Sequence, residues 1–549
     1  MKALPLLLVS AALAVAAEPE PWPQANGPFG NFNPRQYGHA LVDDLKDARV
    51  AWTSADAWLG FCKGSSSGYV RHLADSSTHP GTGSGLIVAE GKVFASSFRP
   101  RGAVWPEHHP GIGGSFKSGQ WSAEQTAAIQ RNSAYDADDL TVALDLQTGK
   151  TLWSAVEESR GVNRYSGKRL HFMATPAYHA GRVFSLGTMG VLFCYDAATG
   201  KKLWEDATGS LAREMPAVKE KLLRDRKEMA GGGGMGVSLV VADGVLVVPE
   251  FDLKGARDIG LRGVDVASGR TLWVLPAATC RYATPAVWTH QGRQFLLCAT
   301  VGQPNKFDTG TLRLLDPKTG KVLWTVTGLA PTYYSLSPSA THVCVNVPSA
   351  VPNSKKSKTE EPWGLVAAFR LTHEKAERAW TMPDQPPFWF ENHMDICAMR
   401  RVVVRDGRVY FFSQGHTLAP EQASFFFHIL REDTGAVLYS SKEKDFAHAS
   451  VANPGNSILG QFWLVEDRLL NMPDGAHSDR STMQWVTTDP QEVRRLGTRW
   501  KPPHENTTAY EVFIELPYVD GRFLMRSGDG RVRCYDLRTT AAAVGNRKP

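Results

Sequence analysis

The chain has 549 residues, 42% of them hydrophobic and 21% charged, with a formal charge of +6. This is globular composition, and it excludes a disordered or collagen-like chain. The only short basic run, Ser354 to Lys358, is no clustered basic face, so nucleic-acid binding is excluded as well.

The elements follow in chain order. Residues 1–17 carry Lys2 and then an almost wholly apolar run from Leu4 to Ala17, closing on small residues. That pattern predicts a secretory signal peptide, too short to span a bilayer. Cleavage removes Lys2, leaves a mature chain from Glu18 with a charge of +5, and implies a periplasmic or secreted protein. Residues 18–40 form an N-terminal extension with WPQANGPFGN at 22–31. LVDDLKDARVAW at 41–52 reads as a strand ending in Trp52 without a preceding strand partner. A long insertion follows, including the Gly/Pro/His-rich stretch at 100–119, expected to be a surface loop.

Next comes a repeated phrase: LDLQTGKTLW at 144–153, YDAATGKKLW at 195–204, VDVASGRTLW at 264–273 and LDPKTGKVLW at 315–324. Asp at the start of a tight turn accepts backbone N–H bonds, and Gly supplies positive φ. Each phrase is therefore a β-hairpin, and its Trp is a flat side chain suited to wedging between sheets. A pair of short strands precedes each hairpin, as in TPAYHAGRVFSLGTMGVLFCYD at 175–196 and TPAVWTHQGRQFLLCA at 284–299. Four-stranded units repeated in this way predict a β-propeller.

Docking positions Trp153, Trp204, Trp273, Trp324, Trp380, Tyr439 and Trp500 mark seven units. GDGRVRCYDLR at 528–538 lacks its Trp strand, and Trp52 supplies one. The expectation is an all-β, eight-bladed propeller over 41–538, with its last blade shared by both chain ends, removing the free sheet edges. Seven blades is the alternative. Residues 539–549 are expected to be a disordered tail.

The xDxxTGKxxW unit resembles the Trp-docking repeat of quinoprotein-like propellers, over roughly residues 22–538. The family includes pyrroloquinoline quinone dehydrogenases and a propeller subunit of the outer-membrane β-barrel assembly machinery. Among its members the chain is most similar to secreted repeat proteins with a WPQxxGPxG-type segment. The resemblance implies pyrroloquinoline quinone and calcium in the axial channel of the dehydrogenases, and in several of them adjacent cysteines that stack on the quinone. The seven cysteines here are Cys62, Cys194, Cys280, Cys298, Cys344, Cys397 and Cys534, none adjacent and none beside the cleavage point. Scattered singly in strand-like runs, several read as small buried hydrophobes.

Chemistry is expected on loops at one mouth of the channel. His393 and Asp395 alternate, as do His477 and Asp479, so on extended chain each pair points one way. With Glu391 and Asn392 the first pair offers ligands for calcium or a transition metal, or a general acid–base pair. A polar loop satisfying backbone groups is the plainer alternative. His171, and Gly233 and Gly234 within GGGGMG at 231–236, are further candidates beside inner strands. The preceding stretch, 212–230, has helical periodicity and alternating charge and is expected to be a short exposed helix.

These features lead to an exported propeller, expected to be a monomer, that binds a protein partner or small-molecule ligand without redox catalysis. No cofactor follows from the residues alone. A quinone- and calcium-dependent dehydrogenase of alcohols or sugars is the alternative reading, with Asp395 as base. A metal-assisted hydrolase or lyase at the channel mouth is the third.

Overall fold

A computed structural model describes residues 20–60, 84–102, 121–163 (except 133), 173–225, 237–251, 258–276, 283–300, 308–352 (except 331 and 333), 362–389 (except 386), 401–416, 423–441, 461–472, 483–502 and 516–539 (except 528). Its strands form eight antiparallel sheets arranged as the blades of a ring. Blades 1 to 7 span residues 86–162, 177–206, 240–276, 286–329, 342–381, 403–440 and 461–500. Blade 8 takes three strands from 518–536 and its outermost strand, Arg49–Thr53, from the start of the chain. That strand pairs antiparallel with Val532–Asp536, placing Trp52 opposite Cys534. The predicted closure by both chain ends is therefore observed.

Each blade is a simple meander from axis to rim, so its turns fall into two sets. Those between the innermost and second strands, and between the third and outermost strands, lie on one face, here the turn face. The other connections join strand ends on the opposite face, here the loop face.

The repeat does what its residues predict. Asp145, Asp196 and Asp265 each accept bonds at 2.7–2.8 Å from the backbone N–H and hydroxyl of Thr148, Thr199 and Ser268. The turn glycine then meets the Trp of the preceding blade. A Cβ at Gly200, where φ is +72°, would stand 2.6 Å from the Trp153 ring. Trp153 Nε1 donates to the Ala197 carbonyl at 3.1 Å. Trp52, Trp273, Trp324 and Trp380 make the corresponding bonds to Leu146, Pro317, Thr372 and Glu432. Trp204 packs on Gly269, but its Nε1 has no partner. Degenerate units dock differently: Tyr439 packs against the buried cluster that includes Phe427 and Val486, and Trp500 meets Tyr535 edge-on at 5.2 Å.

The core lies between blades. One buried cluster joins Trp52, Phe94, Tyr178 and Val532 from blades 8, 1 and 2.

Two features differ from the sequence expectation. In blade 5 the described ladder has three strands. Its innermost position is held by a bridge from Ser337 to Val403 of blade 6, because Pro338 has no N–H to extend a ladder. The inserted helix runs Ser210–Asp225 and is not simply exposed. Leu211, Ala212 and Met215 are buried on its inner side, a stripe at i, i+1 and i+4 facing the blades.

Candidate functional site

The strongest asymmetry in the molecule is made by the N-terminal extension. It runs as a strap around the axial opening of the turn face and touches every blade in order. Trp22 exchanges two backbone bonds with Val88 of blade 1, at 3.0 and 2.7 Å. Pro23 accepts from the Tyr178 N–H of blade 2 at 2.7 Å. Gln24 Oε1 accepts from the Val241 N–H of blade 3, also at 2.7 Å. Asn26 donates to the Pro285 carbonyl beside blade 4 at 3.0 Å, and Gly30 accepts from Val287 N–H at 2.9 Å. Asn31 and Asn33 donate to Pro338 in blade 5 and Val404 in blade 6, at 3.1 and 3.0 Å. The Tyr37 and Gly38 amides donate to the Glu466 carboxylate of blade 7, and His39 meets Asp520 of blade 8 at 2.7 Å.

This pattern has a physical cause. The innermost strand of each blade has a free edge facing the axis, and buried N–H and C=O groups must find partners. Asn and Gln side chains and strap backbone supply them. Gly30 is required by contact: at φ +71° a Cβ there would lie 2.4 Å from the Val287 Cβ.

Nearer the loop face, a belt of hydroxyls performs the same task. Gly85 N–H donates to Thr175 Oγ1 at 2.8 Å, Thr175 N–H to Ser238 Oγ at 3.1 Å, Ser238 N–H to Thr284 Oγ1 at 3.0 Å, and Thr284 N–H to Ser335 Oγ at 3.1 Å. The belt crosses blades 1 to 5. In blade 6 the corresponding position, six residues before the turn glycine, is Arg401. Its guanidinium stacks 4.2 Å over the ring of Phe32 from the strap. On the other side Arg526 of blade 8 donates to the carbonyls of Leu59, Gly85 and Ser96, at 2.7, 3.4 and 2.9 Å. Burial holds Arg526 down to about 9.

Further groups sit in the loop-side half of the blades. Asp139 is buried at the junction of blades 1 and 2 and accepts from the Thr188 N–H and hydroxyl. Burial pushes its carboxyl up to about 6, against those bonds and the charge of Lys219. Lys219 itself pins the inserted helix to blade 1, through Asp136 at 2.6 Å and the carbonyls of Ser159 and Gly161. The helix start is held by Glu250, which accepts from Ser210 N–H at 2.7 Å and pairs with Arg262 at 2.7 Å. In blade 6, His428 is buried against Ser413 at 2.6 Å and held down to about 3 by burial, hence neutral.

The structure places Trp52, Trp153, Trp204, Trp273, Trp324, Trp380 and Trp500 between blades, as structural docking residues. His171, Gly233, Gly234, Glu391, Asn392, His393, Asp395, His477 and Asp479 lie outside the described residues. Sequence reading missed the strap contacts, the belt, Phe32, Arg401, Arg526 and Asp139. The belt had a signal, since Thr-Pro opens both phrases at 175 and 284.

The described residues do not supply the donor set that calcium with pyrroloquinoline quinone would need. Among them no three carboxylate, imidazole or thiol groups stand close enough to share an ion. The described cysteines Cys194, Cys298, Cys344 and Cys534 are buried and unpaired. Burial pushes the thiols of Cys194 and Cys534 up to about 12, which suits packing groups.

A closed ring of antiparallel blades joined by Trp-on-Gly docking defines an eight-bladed β-propeller. Residues 136–337 match the family model described as outer membrane protein assembly factor BamB. The match is to a pyrroloquinoline-quinone-like propeller repeat and covers that segment. The chain is similar to the tetrathionate hydrolase of Acidithiobacillus ferrooxidans, 23% identical over 378 residues, 58% of this chain and 67% of that protein. Among solved structures it is similar to quinohemoprotein alcohol dehydrogenase from Comamonas testosteroni, with TM-score 0.48 and 13% identity over 98% of this chain and 82% of that one. BamB from Moraxella catarrhalis aligns with TM-score 0.41 and 11% identity over 74% of this chain and 93% of that one. No described helix is long and apolar enough to cross a membrane.

Proposed function

We propose that the protein is an exported ligand-binding propeller whose site lies in the axial channel at the loop face. One observation carries this reading: the strap runs around the turn-face opening and bonds to all eight blades. That face is narrowed and braced, so the reading takes the loop face as the entrance. In sequence, His393 and Asp395 fall between the strands Ala376–Thr381 and Val403–Arg405, and His477 and Asp479 between Arg468–Met472 and Met483–Thr487, which makes them the residues to test for this reading. The strap, the docked Trp rings and the pinned helix give this entrance a rigid base, as a binding site needs. A small-molecule ligand fits a channel of this kind better than a flat protein partner does.

The similarity to a tetrathionate hydrolase favours one second reading, a hydrolase acting at the same mouth with His393/Asp395 and His477/Asp479 as acid, base or metal ligands.

The test is a thermal-shift screen of the mature chain from Glu18 against alcohols, sugars, tetrathionate, and pyrroloquinoline quinone with calcium. A true ligand raises Tm, and His393→Ala and His477→Ala abolish that rise while Lys201→Ala on the turn face does not. Ligand-induced exchange protection confined to the turn face would contradict the proposal.

A further inference from the structure

We propose that the collar where the inner strands meet the loop face binds a small anion bearing sulfonate- or carboxylate-type oxygens. This rests on the loop-face reading above and specifies the charge of its ligand.

The argument is a count of donors. Thr175, Ser238, Thr284 and Ser335 each accept a neighbour's N–H in the belt. A hydroxyl has one proton of its own to donate. None of the four protons has an acceptor among the described residues. The belt thus faces its surroundings as a row of unspent donors.

Arginines stand at both ends of that row. Arg526 is only 4% exposed. Its described partners are three backbone carbonyls, all neutral, and its buried Nε has no partner at all. A guanidinium taken out of water without a counter-charge is costly, and an adjoining anion would offset that cost. Its bond to the Gly85 carbonyl ties it to the belt position of blade 1.

At the other end, Arg401 is fixed from beneath by Phe32. Among the described residues nine non-glycine positions have positive φ. Seven of them open the turns between innermost and second strands, where such φ is expected. Phe32, at φ 63° and buried, is not among those seven. A bulky side chain in that conformation is strained, and such strain persists where the surroundings impose it. Here the Asn31 and Asn33 anchors and a 2.7 Å bond from Phe32 N–H to the Asn26 carbonyl hold it, with its ring under the guanidinium. The result is a guanidinium held in a fixed orientation at the blade 6 end of the belt.

No carboxylate occupies the belt position in blades 1 to 7, where the residues are Gly85, Thr175, Ser238, Thr284, Ser335, Arg401 and Gln461. The blade 8 position lies outside the described residues. A donor-rich, positively charged collar selects an acceptor-only ligand.

Isothermal titration of the mature chain at low ionic strength tests this, with sodium sulfate, sodium succinate and neutral glucose as probes. The expected result is saturable binding of one or both dianions and none of glucose. Arg401→Gln and the milder Ser238→Ala should each weaken it, by at least tenfold for Arg401→Gln, with folding checked by Tm. Sulfate without succinate would assign an inorganic oxyanion, and succinate without sulfate an organic carboxylate. No dianion binding, or binding unchanged in both variants, would overturn the inference. A neutral ligand that binds, is lost in His393→Ala and ignores both collar variants would overturn it while leaving the loop-face reading intact.

Discussion

The two faces of this propeller solve one problem by different means. On the turn face, the free inner edges are met by a single continuous segment whose Asn, Gln and backbone groups fit eight successive blades. On the loop side, the same edges are met by hydroxyls lent from blade to blade, and donors are left over. The strap partners the inner-strand backbone while Trp22 Nε1, Asn26 Oδ1, Asn33 Oδ1 and Tyr37 OH of its own side chains stay unpartnered; the belt partners backbone N–H groups and keeps its hydroxyl protons. Blade 1 shows the contrast within one strand, Asp136–Asp145. At its turn end Asp145 is held below its ordinary range, chiefly by the Thr148 hydroxyl. At its loop end Asp139 is pushed up to about 6 by burial.

The largest expected effect is on the turn face. Trp22 is fully buried, so Trp22→Ala should cost about 3–5 kcal/mol, read by denaturant titration. His393→Ala and His477→Ala should stay within about 1 kcal/mol of the parent. Equal losses at both faces would erase the distinction.

The pH response sharpens it. Asp139 has a folded pKa above its unfolded value near 3.8. The folded state therefore binds the extra proton, and this stabilisation is full below about pH 4 and lost as pH rises through about 6. The span corresponds to about 3 kcal/mol. Asp139→Asn should flatten the stability profile between pH 4 and 6. The turn-face aspartates Asp145, Asp196 and Asp265 have lowered values, so their contribution is present above pH 4 and lost as pH falls below it. They are exposed, so each Asn substitution should change stability by less than about 1 kcal/mol. A profile that keeps its pH 4–6 slope in Asp139→Asn would contradict the assignment.

Two glycines separate docking from turn geometry. Gly200 and Gly181 have similar φ, +72° and +76°, yet a Cβ meets Trp153 at Gly200 and nothing within 4 Å at Gly181. Gly181→Ala should cost about 1–2 kcal/mol, the strain of a left-handed residue. Gly200→Ala should cost about 1–3 kcal/mol more. Similar losses at both would show that the Trp contact contributes little.

The fold was legible because its signal is local and repeated. Asp, Gly and Trp at fixed spacing specify a turn and the contact it makes with the next blade, and the unpaired Trp52 and 528–538 phrases specify the closure. The strap was not legible as a strap. Its Asn and Gln residues find partners hundreds of positions away, such as Asn33 donating to Val404 and Gln24 accepting from Val241, and nothing local in WPQANGPFGN records that. Asp139 looked like one acid among several in DADD; its burial depends on Thr188 of the next blade. Arg401 sits beside the ENHMDICAM stretch that drew attention for its His and Asp, but its stacking partner lies in the extension.

The most direct test of the central claim is hydrogen exchange of the strap. Amides bonded across the strap at Trp22, Val88, Tyr178, Val241 and Val287 should exchange only with global unfolding, as slowly as those of the blade strands. Exchange of these amides within seconds, while the blades stay protected, would mean that the turn face opens and that the strap does not brace it.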